Sequence, residues 1–262
     1  MKRTFIGLFL IVTLILAGTA FAEKITIVGT GSGMSILEDV GSAFSKKFPA
    51  VSVEVPKSIG SGGGIKAVGT DQAVIGRIAR ELKDKEKPYG LSYIPMAKMP
   101  IIFFVNPSVG IENLTPKQAC DIYSGKITNW KEVGGKDAKI RVVRREDGDS
   151  SLKALQTQLP GFKDITITEK SKITESDSKN CQFIEAKADT IGFGAYSDAK
   201  NYKVSILKID GKHPSDAGYP YFGTLALIVK DKNKTGAIKD FVGFATSVDA
   251  HDAIKGSGGM PF

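Results

Sequence analysis

The sequence predicts an α/β protein of two lobes, each a mostly parallel sheet flanked by helices, and two observations carry that expectation. Three times the chain runs strand, small or polar turn, amphipathic helix, the pattern of proteins built around parallel sheets. In addition, two near-continuous apolar strands, "MPIIFFV" at 99–105 and "GTLALIV" at 223–229, bracket a middle segment with a helix start and strands of its own. These are expected to be the two hinge crossings between a discontinuous first lobe (23–105 and 221–262) and an inserted second lobe (106–220). A binding site is then expected in the cleft between them.

The elements follow in order. Met1 to Ala22 has a basic start at Lys2 and Arg3, an apolar core from Ile6 to Leu16 and an Ala20-Phe21-Ala22 cleavage signature. That is a secretory signal peptide, cleaved after Ala22, and it implies a protein of the periplasm. No cysteine follows the apolar core, which argues against a lipid-anchored form. Lys24 to Val28 alternates apolar and polar residues as a strand does, and Ile36, Val40, Phe44 and Phe48 then recur at helical spacing. The turn between them is "GTGSGMS", residues 29–35. Val51, Val53 and Val55 form a second strand, and "GSGGG" at 60–64 leads into a helix expected to begin near Ile65. Thr115-Pro116 is a helix start in the middle segment. "KIRVV" at 139–143 is a third strand, followed by the turn "REDGDSS" and a run carrying Leu152, Leu155 and Leu159.

The whole chain carries a formal net charge of +8, and loss of Lys2 and Arg3 with the leader leaves +6. The lysines are scattered, without a basic block or interleaved aromatics, so nucleic acid is not an expected partner and anionic small ligands are. No cofactor is expected: "GTGSGMS" lacks the lysine and hydroxyl residue of a phosphate-binding nucleotide loop and misses the dinucleotide spacing. Metal binding is not expected either, since His213 and His251 are isolated. Cys120 and Cys181 leave two alternatives in an oxidising compartment, one disulfide or two buried thiols on different helices. No nucleophile, general base or metal set can be named, so no enzymatic activity is expected.

What the three turns share is a helix start. Such a start presents unpaired backbone N–H groups and the positive end of the helix dipole, and three of them on one cleft would bind an anion.

On these residues the chain resembles the phosphate-binding proteins of phosphate ABC transporters, a branch of the periplasmic binding protein superfamily. The resemblance rests on "IYSGKITNWKEVGGKDAKIRVVRREDGDSS" at 122–151, "GSGGG" at 60–64, "IGRIARELKDKE" at 75–86 and "TIGFGAY" at 190–196. It implies two lobes closing around phosphate, a monomer, and delivery to the membrane permease of an ABC importer. Position by position it implies that Gly33, Met34, Ser61, Gly62, Arg145, Asp149, Ser150 and Ser151 bind the oxyanion. Arg145 takes the place of the gripping arginine, whose guanidinium suits two oxygens at once. An ion pair of Arg145 with Glu146 or Asp147 is the alternative.

Three departures from the family pattern bear on the ligand. Ala79 stands where Ser or Asp is usual, Asp149 where a donating serine is usual, and Arg77 where the residue is small or polar. Asp149 either accepts a proton-bearing oxygen of hydrogen phosphate, rejecting sulfate, or only caps its helix. Arg77 either adds charge to the cleft or is exposed. The same departures admit a second function, an oxyanion sensor or accessory protein without a transport role, or a changed ligand.

Overall fold

The computed structural model describes residues 23–216 and 218–262; the leader expected at 1–22 lies outside them. Strand β1 (Glu23–Gly29) leads to helix α1 (Met34–Lys47), β2 (Val51–Glu54) to α2 (Gly60–Gly69), and β3 (Ile75–Ile78) to the 15-residue β4 (Leu91–Val105). The middle of the chain has β5 (Asn113–Leu114), α3 (Pro116–Ser124), β6 (Arg141–Arg145), α4 (Ser150–Gln158), β7 (Lys172–Thr174) and α5 (Asp177–Ala186). It continues with β8 (Thr190–Ala195), the single turn α6 (Tyr196–Ala199), β9 (Ser205–Ile206) and β10 (Lys208–Ile209). The chain then returns through β11 (Phe222–Lys230) to α7 (Gly236–Ala245), α8 (His251–Gly256) and β12 (Met260–Pro261).

The main sheet has the order β2-β1-β3-β11-β4-β8-β6-β7. Pairing is parallel at both ends, β1 with β2 and β3, and β6 with β7 and β8, and antiparallel in the middle. Strand β4 joins the two halves by changing partner along its length. Leu91–Pro100 pairs with β11, and Ile101–Val105 pairs with β8. An apolar run this long is required there because both faces of the strand are covered.

The core divides at the same point. One cluster gathers Ile101–Val105 with Leu114, Tyr123, Trp130, Val143, Leu155, Phe162, Ile191 and Phe193. Within it Phe103, Tyr123, Phe162 and Phe193 lie 5.5–6.4 Å apart at tilted or edge-on angles that aromatic quadrupoles favour. Another cluster gathers Ile25, Ile27, Ile36, Leu37, Val40 and Phe44 with Phe241 and Phe244. Strand β11 serves both sides of its half of the sheet: Leu225, Leu227 and Val229 enter that cluster, while Ala226 and Ile228 pack beneath α2 with Ile65 and Val68. This is the period-two alternation of a strand.

Local signals account for three of the helix starts. Thr115 caps α3 by accepting from Gln118 N–H, and Gln118 returns the bond to Thr115 N–H, a capping box. Asp149 and Ser176 cap α4 and α5 by a single bond each, accepting from Leu152 and Lys179 N–H. Helix α2 departs from expectation: it starts at Gly60 and not near Ile65, so the glycines form its first turn. Close packing explains the difference, because a Cβ on Gly64 would lie 2.8 Å from Gly29 Cα. Glycine there lets α2 rest on the end of β1, which outweighs its poor helix propensity.

Cys120 on α3 and Cys181 on α5 are both buried and both free, so the disulfide alternative is not what the fold adopts. The Cys120 thiol donates to Pro160 O at 3.5 Å, and burial raises the pKa of both thiols. Inert buried thiols are the result.

Candidate functional site

Four helix starts meet where the halves of the sheet face each other. Gly33, in the left-handed conformation at φ 73°, opens α1, and Ser32 Oγ beside it lies 3.2 Å from Ser150 Oγ at the start of α4. A Cβ on Gly31 would lie 3.1 Å from the Ser58 side chain, just ahead of α2, and 4.0 Å from that of Ser176, the cap of α5. Each of these helices has eight or more residues, so each brings a full dipole end, although Gly33, Gly60, Leu152 and Lys179 N–H are already bonded to Asp198, Ser58, Asp149 and Ser176. Ser61 in α2 accepts from Ala79 N–H at 3.2 Å, which leaves its own hydroxyl hydrogen free to donate. Gly62 lies at the exposed edge near Arg80, and Met34 is half-buried. Arg80 itself is held by both oxygens of Glu86 at 2.8 Å.

Arg145, the last residue of β6, is buried and sits among three carboxylates. Glu146 takes Nε and Nη2 at 3.1 Å each, Asp149 takes Nη2 at 3.1 Å, and Asp177 takes Nη1. Burial alone would lower its pKa, but Asp177, Asp149 and Glu146 more than reverse that, and the guanidinium stays charged. The ion-pair alternative is therefore present for Glu146, whereas Asp147 pairs with Arg144 at 2.7 Å. Asp149 does two things at once: Oδ1 caps α4 through Leu152 N–H at 2.8 Å and Oδ2 meets Arg145. Burial, reinforced by Asp177, raises its pKa to about 7 against the pull of Arg145. Ser151, fully buried at the start of α4, has a hydroxyl without a hydrogen-bond partner, as does Asp177 Oδ2. Such atoms are costly unless something satisfies them.

A cavity of about 810 Å³ borders this group at Asp149 and Ser150 and does not reach Arg145 itself. Its walls include Ala79, Arg80, Tyr93 and Phe222 on one side and Gly148, Asp149, Ser150 and Leu152 on the other. The small side chain of Ala79 and the start of α4 thus share one space.

Arg77 corrects both expectations for it, being neither in the cleft nor exposed. It is fully buried, and its guanidinium donates to the main-chain oxygens of Thr30 and Pro56 at 2.7 Å each and to that of Ile27. Desolvation lowers its pKa to about 10, with Glu38 opposing, so it remains a cation at neutral pH. It holds the turn before α1 and is a structural residue.

Sequence reasoning missed Ser32, Asp177 and Asp198. "TESDS" at 174–178, with a Ser176 cap, carried the signal of a fourth strand–turn–helix unit. Asp198 had none: it lies on α6, yet its carboxylate accepts from Gly33 N–H at 3.2 Å across the cleft. Burial, then Asp177, raises its pKa to about 8, against the Gly33 and Ser35 bonds and Arg145. Asp149 and Asp198 both titrate above the unfolded carboxylate value of about 3.9. Between that value and pH about 8 the folded chain binds more protons than the unfolded one, so their contribution to stability falls as pH rises. Asp198→Asn, which keeps an acceptor for Gly33, is expected to raise the melting temperature at pH 8 by about 2–4 °C per kcal/mol regained, and to raise it much less at pH 5, where the linkage has acted over only about one pH unit. Thermal unfolding at both pH values checks this; an equal shift at both would mean that ionisation is not the cause.

An α/β molecule with opposed helix starts and one buried arginine in a cleft defines a ligand-binding protein of the hinged, two-lobed class. Comparison with known proteins agrees. Residues 17–249 match the PBP superfamily domain. A substrate-binding protein attributed to phosphate ABC transport, with bound phosphate, from Clostridium perfringens is 31% identical, with 92% of this chain and 100% of that one covered and a TM-score of 0.81. The phosphate-binding protein PstS of Bacillus subtilis is 28% identical over 88% of this chain and 78% of its own length. PstS of Borreliella burgdorferi is 24% identical over 98% of both. The chain belongs to the PBP superfamily, on its PstS-like phosphate-binding branch.

Proposed function

We propose that this protein captures inorganic phosphate in the cleft and delivers it to the membrane permease of an ABC importer. It acts outside the cytoplasm as a monomer without catalysis, after cleavage following Ala22. Its lobes are 23–105 with 221–262, and 106–220, hinged at β4 and the approach to β11. The observation that carries this proposal is the convergence of four helix starts on a buried arginine, with the buried Ser151 hydroxyl unpartnered beside them. Backbone N–H groups of Met34, Gly62 and Ser150, the hydroxyls of Ser61 and Ser151, and Arg145 then supply donors to one oxyanion, while the Gly33 N–H expected to join them is held by Asp198. In a cleft emptied of water such bonds count for more than in solvent.

Asp149 selects among oxyanions. Its carboxylate and a phosphate oxygen share one proton, which either partner can bring, so two anions are bridged and not opposed. Sulfate brings no proton at neutral pH, so its binding requires Asp149 to take one from solvent. Calorimetric titration of the phosphate-stripped mature protein is the test. Phosphate is expected to bind and sulfate to bind far more weakly at pH 8, and Asp149→Asn is expected to narrow that preference. Absence of heat with phosphate would overturn the function; an unchanged preference in the variant would remove Asp149 from the recognition.

A further inference from the structure

The three carboxylates on Arg145 are not equivalent. The side chains of Asp149 and Asp177 are 3% and 1% exposed, whereas that of Glu146 is 42% exposed. Asp149 is also tied down by Leu152 N–H, and Asp177 sits in the first turn of α5. Glu146 has no other side-chain hydrogen bond among the described residues. It leads into Asp147 and Gly148, which line the cavity.

Its geometry on Arg145 is that of a ligand. Oε2 accepts from Nε and Oε1 from Nη2, each at 3.1 Å, the parallel pairing that an oxyanion makes with a guanidinium. Arginine has five N–H donors. Glu146 takes Nε and one from Nη2, and Asp177 takes one from Nη1, while Asp149 is an ion pair 3.1 Å from Nη2. The Nε–Nη2 edge is thereby filled, so no ligand can place two oxygens on that edge of Arg145 while Glu146 is seated.

We propose that Glu146 is an internal competitor and a specificity determinant: its carboxylate occupies the Arg145 fork in the empty site, and a ligand binds by displacing it. This rests on the phosphate function above. A tethered carboxylate competes at an effective concentration on the order of millimolar or more. A singly charged carboxylate offers Arg145 nothing that Glu146 does not. A tetrahedral oxyanion displaces it because its further oxygens reach the helix-start N–H groups and the Ser61 and Ser151 hydroxyls, which the Glu146 carboxylate leaves unfilled.

The test is calorimetric titration of the phosphate-stripped mature wild type, Glu146→Gln and Glu146→Ala with phosphate, repeated in excess acetate, with thermal unfolding as the control for folding. Both variants are expected to bind phosphate about tenfold more tightly, the release of one charge-assisted pair. Acetate is expected to weaken phosphate binding by Glu146→Ala and to leave the wild type unaffected, because free acetate then takes the vacated fork. Binding by the variants alone would support displacement in its strongest form. Phosphate binding by folded variants that is equal to or weaker than wild type, with no effect of acetate, would overturn the competitor and leave phosphate capture standing. Failure of wild type and variants alike to bind phosphate would overturn both.

Discussion

Replacing Arg145 by alanine is expected to weaken phosphate binding by about two to four orders of magnitude, the effect of truncating one partner of a buried, hydrogen-bonded charge pair. Two losses combine. The ligand loses the buried guanidinium among the helix starts, and Asp149 and Asp177, both buried against Arg145, are left facing each other without a counter-charge. Breaking a buried pair in this manner typically costs about 3–5 kcal/mol of stability. Because carboxylates can escape that repulsion by taking up protons, the destabilisation should be greater at pH 8 than at pH 6. Arg145→Lys separates the effects: a charge returns and most of the stability with it, but the planar two-bond fork does not, so binding stays impaired. Titration calorimetry and thermal unfolding of both variants give the answer. Wild-type affinity in Arg145→Ala would place the anion site elsewhere.

Replacing Arg77 by methionine is expected to lower the melting temperature by about 10 °C, from roughly 3–5 kcal/mol at about 2–4 °C per kcal/mol. Methionine fills much of the volume but donates nothing, and the oxygens of Ile27, Thr30 and Pro56 all lose the donor that the guanidinium provides. Buried acceptors left without a donor cost about 1–3 kcal/mol each. Thr30 belongs to the turn that places Gly33 and Ser32, so phosphate affinity should fall as well, although Arg77 never reaches the cleft. Thermal unfolding and phosphate titration of the variant check both parts. An unchanged melting temperature would mean that water or a neighbouring group replaces the arginine at no cost.

The strand–turn–helix units were legible because their signals are local. Alternation in "KITIV", the Thr115-Pro116 start and the cap at Asp149 are set within a few residues, and the structure places β1, α3 and α4 where those signals put them. The start of α2 was not legible, because what favours helix at Gly60–Gly64 is the nearness of Gly29, about thirty residues away in sequence. Arg145 and the serines could be named from a motif. The company they keep could not.

The sequence by itself determined the alternation of strands and helices, the apolar strands at 99–105 and 223–229, and the placing of Ser61, Arg145, Asp149 and Ser151 at strand ends and helix starts. Periodicity, capping and turn chemistry are properties of contiguous residues, and contiguous residues are what a sequence displays. Only the tertiary structure decided where the charges went. It turned Arg77 inward onto three carbonyls, set Glu146 on the Arg145 fork, brought Asp177 to the same guanidinium and carried Asp198 across to Gly33. The physical reason is that the state and partner of a buried charge depend on every group the fold gathers within a few ångströms, together with the loss of water there. Neither quantity is a function of spacing along the chain.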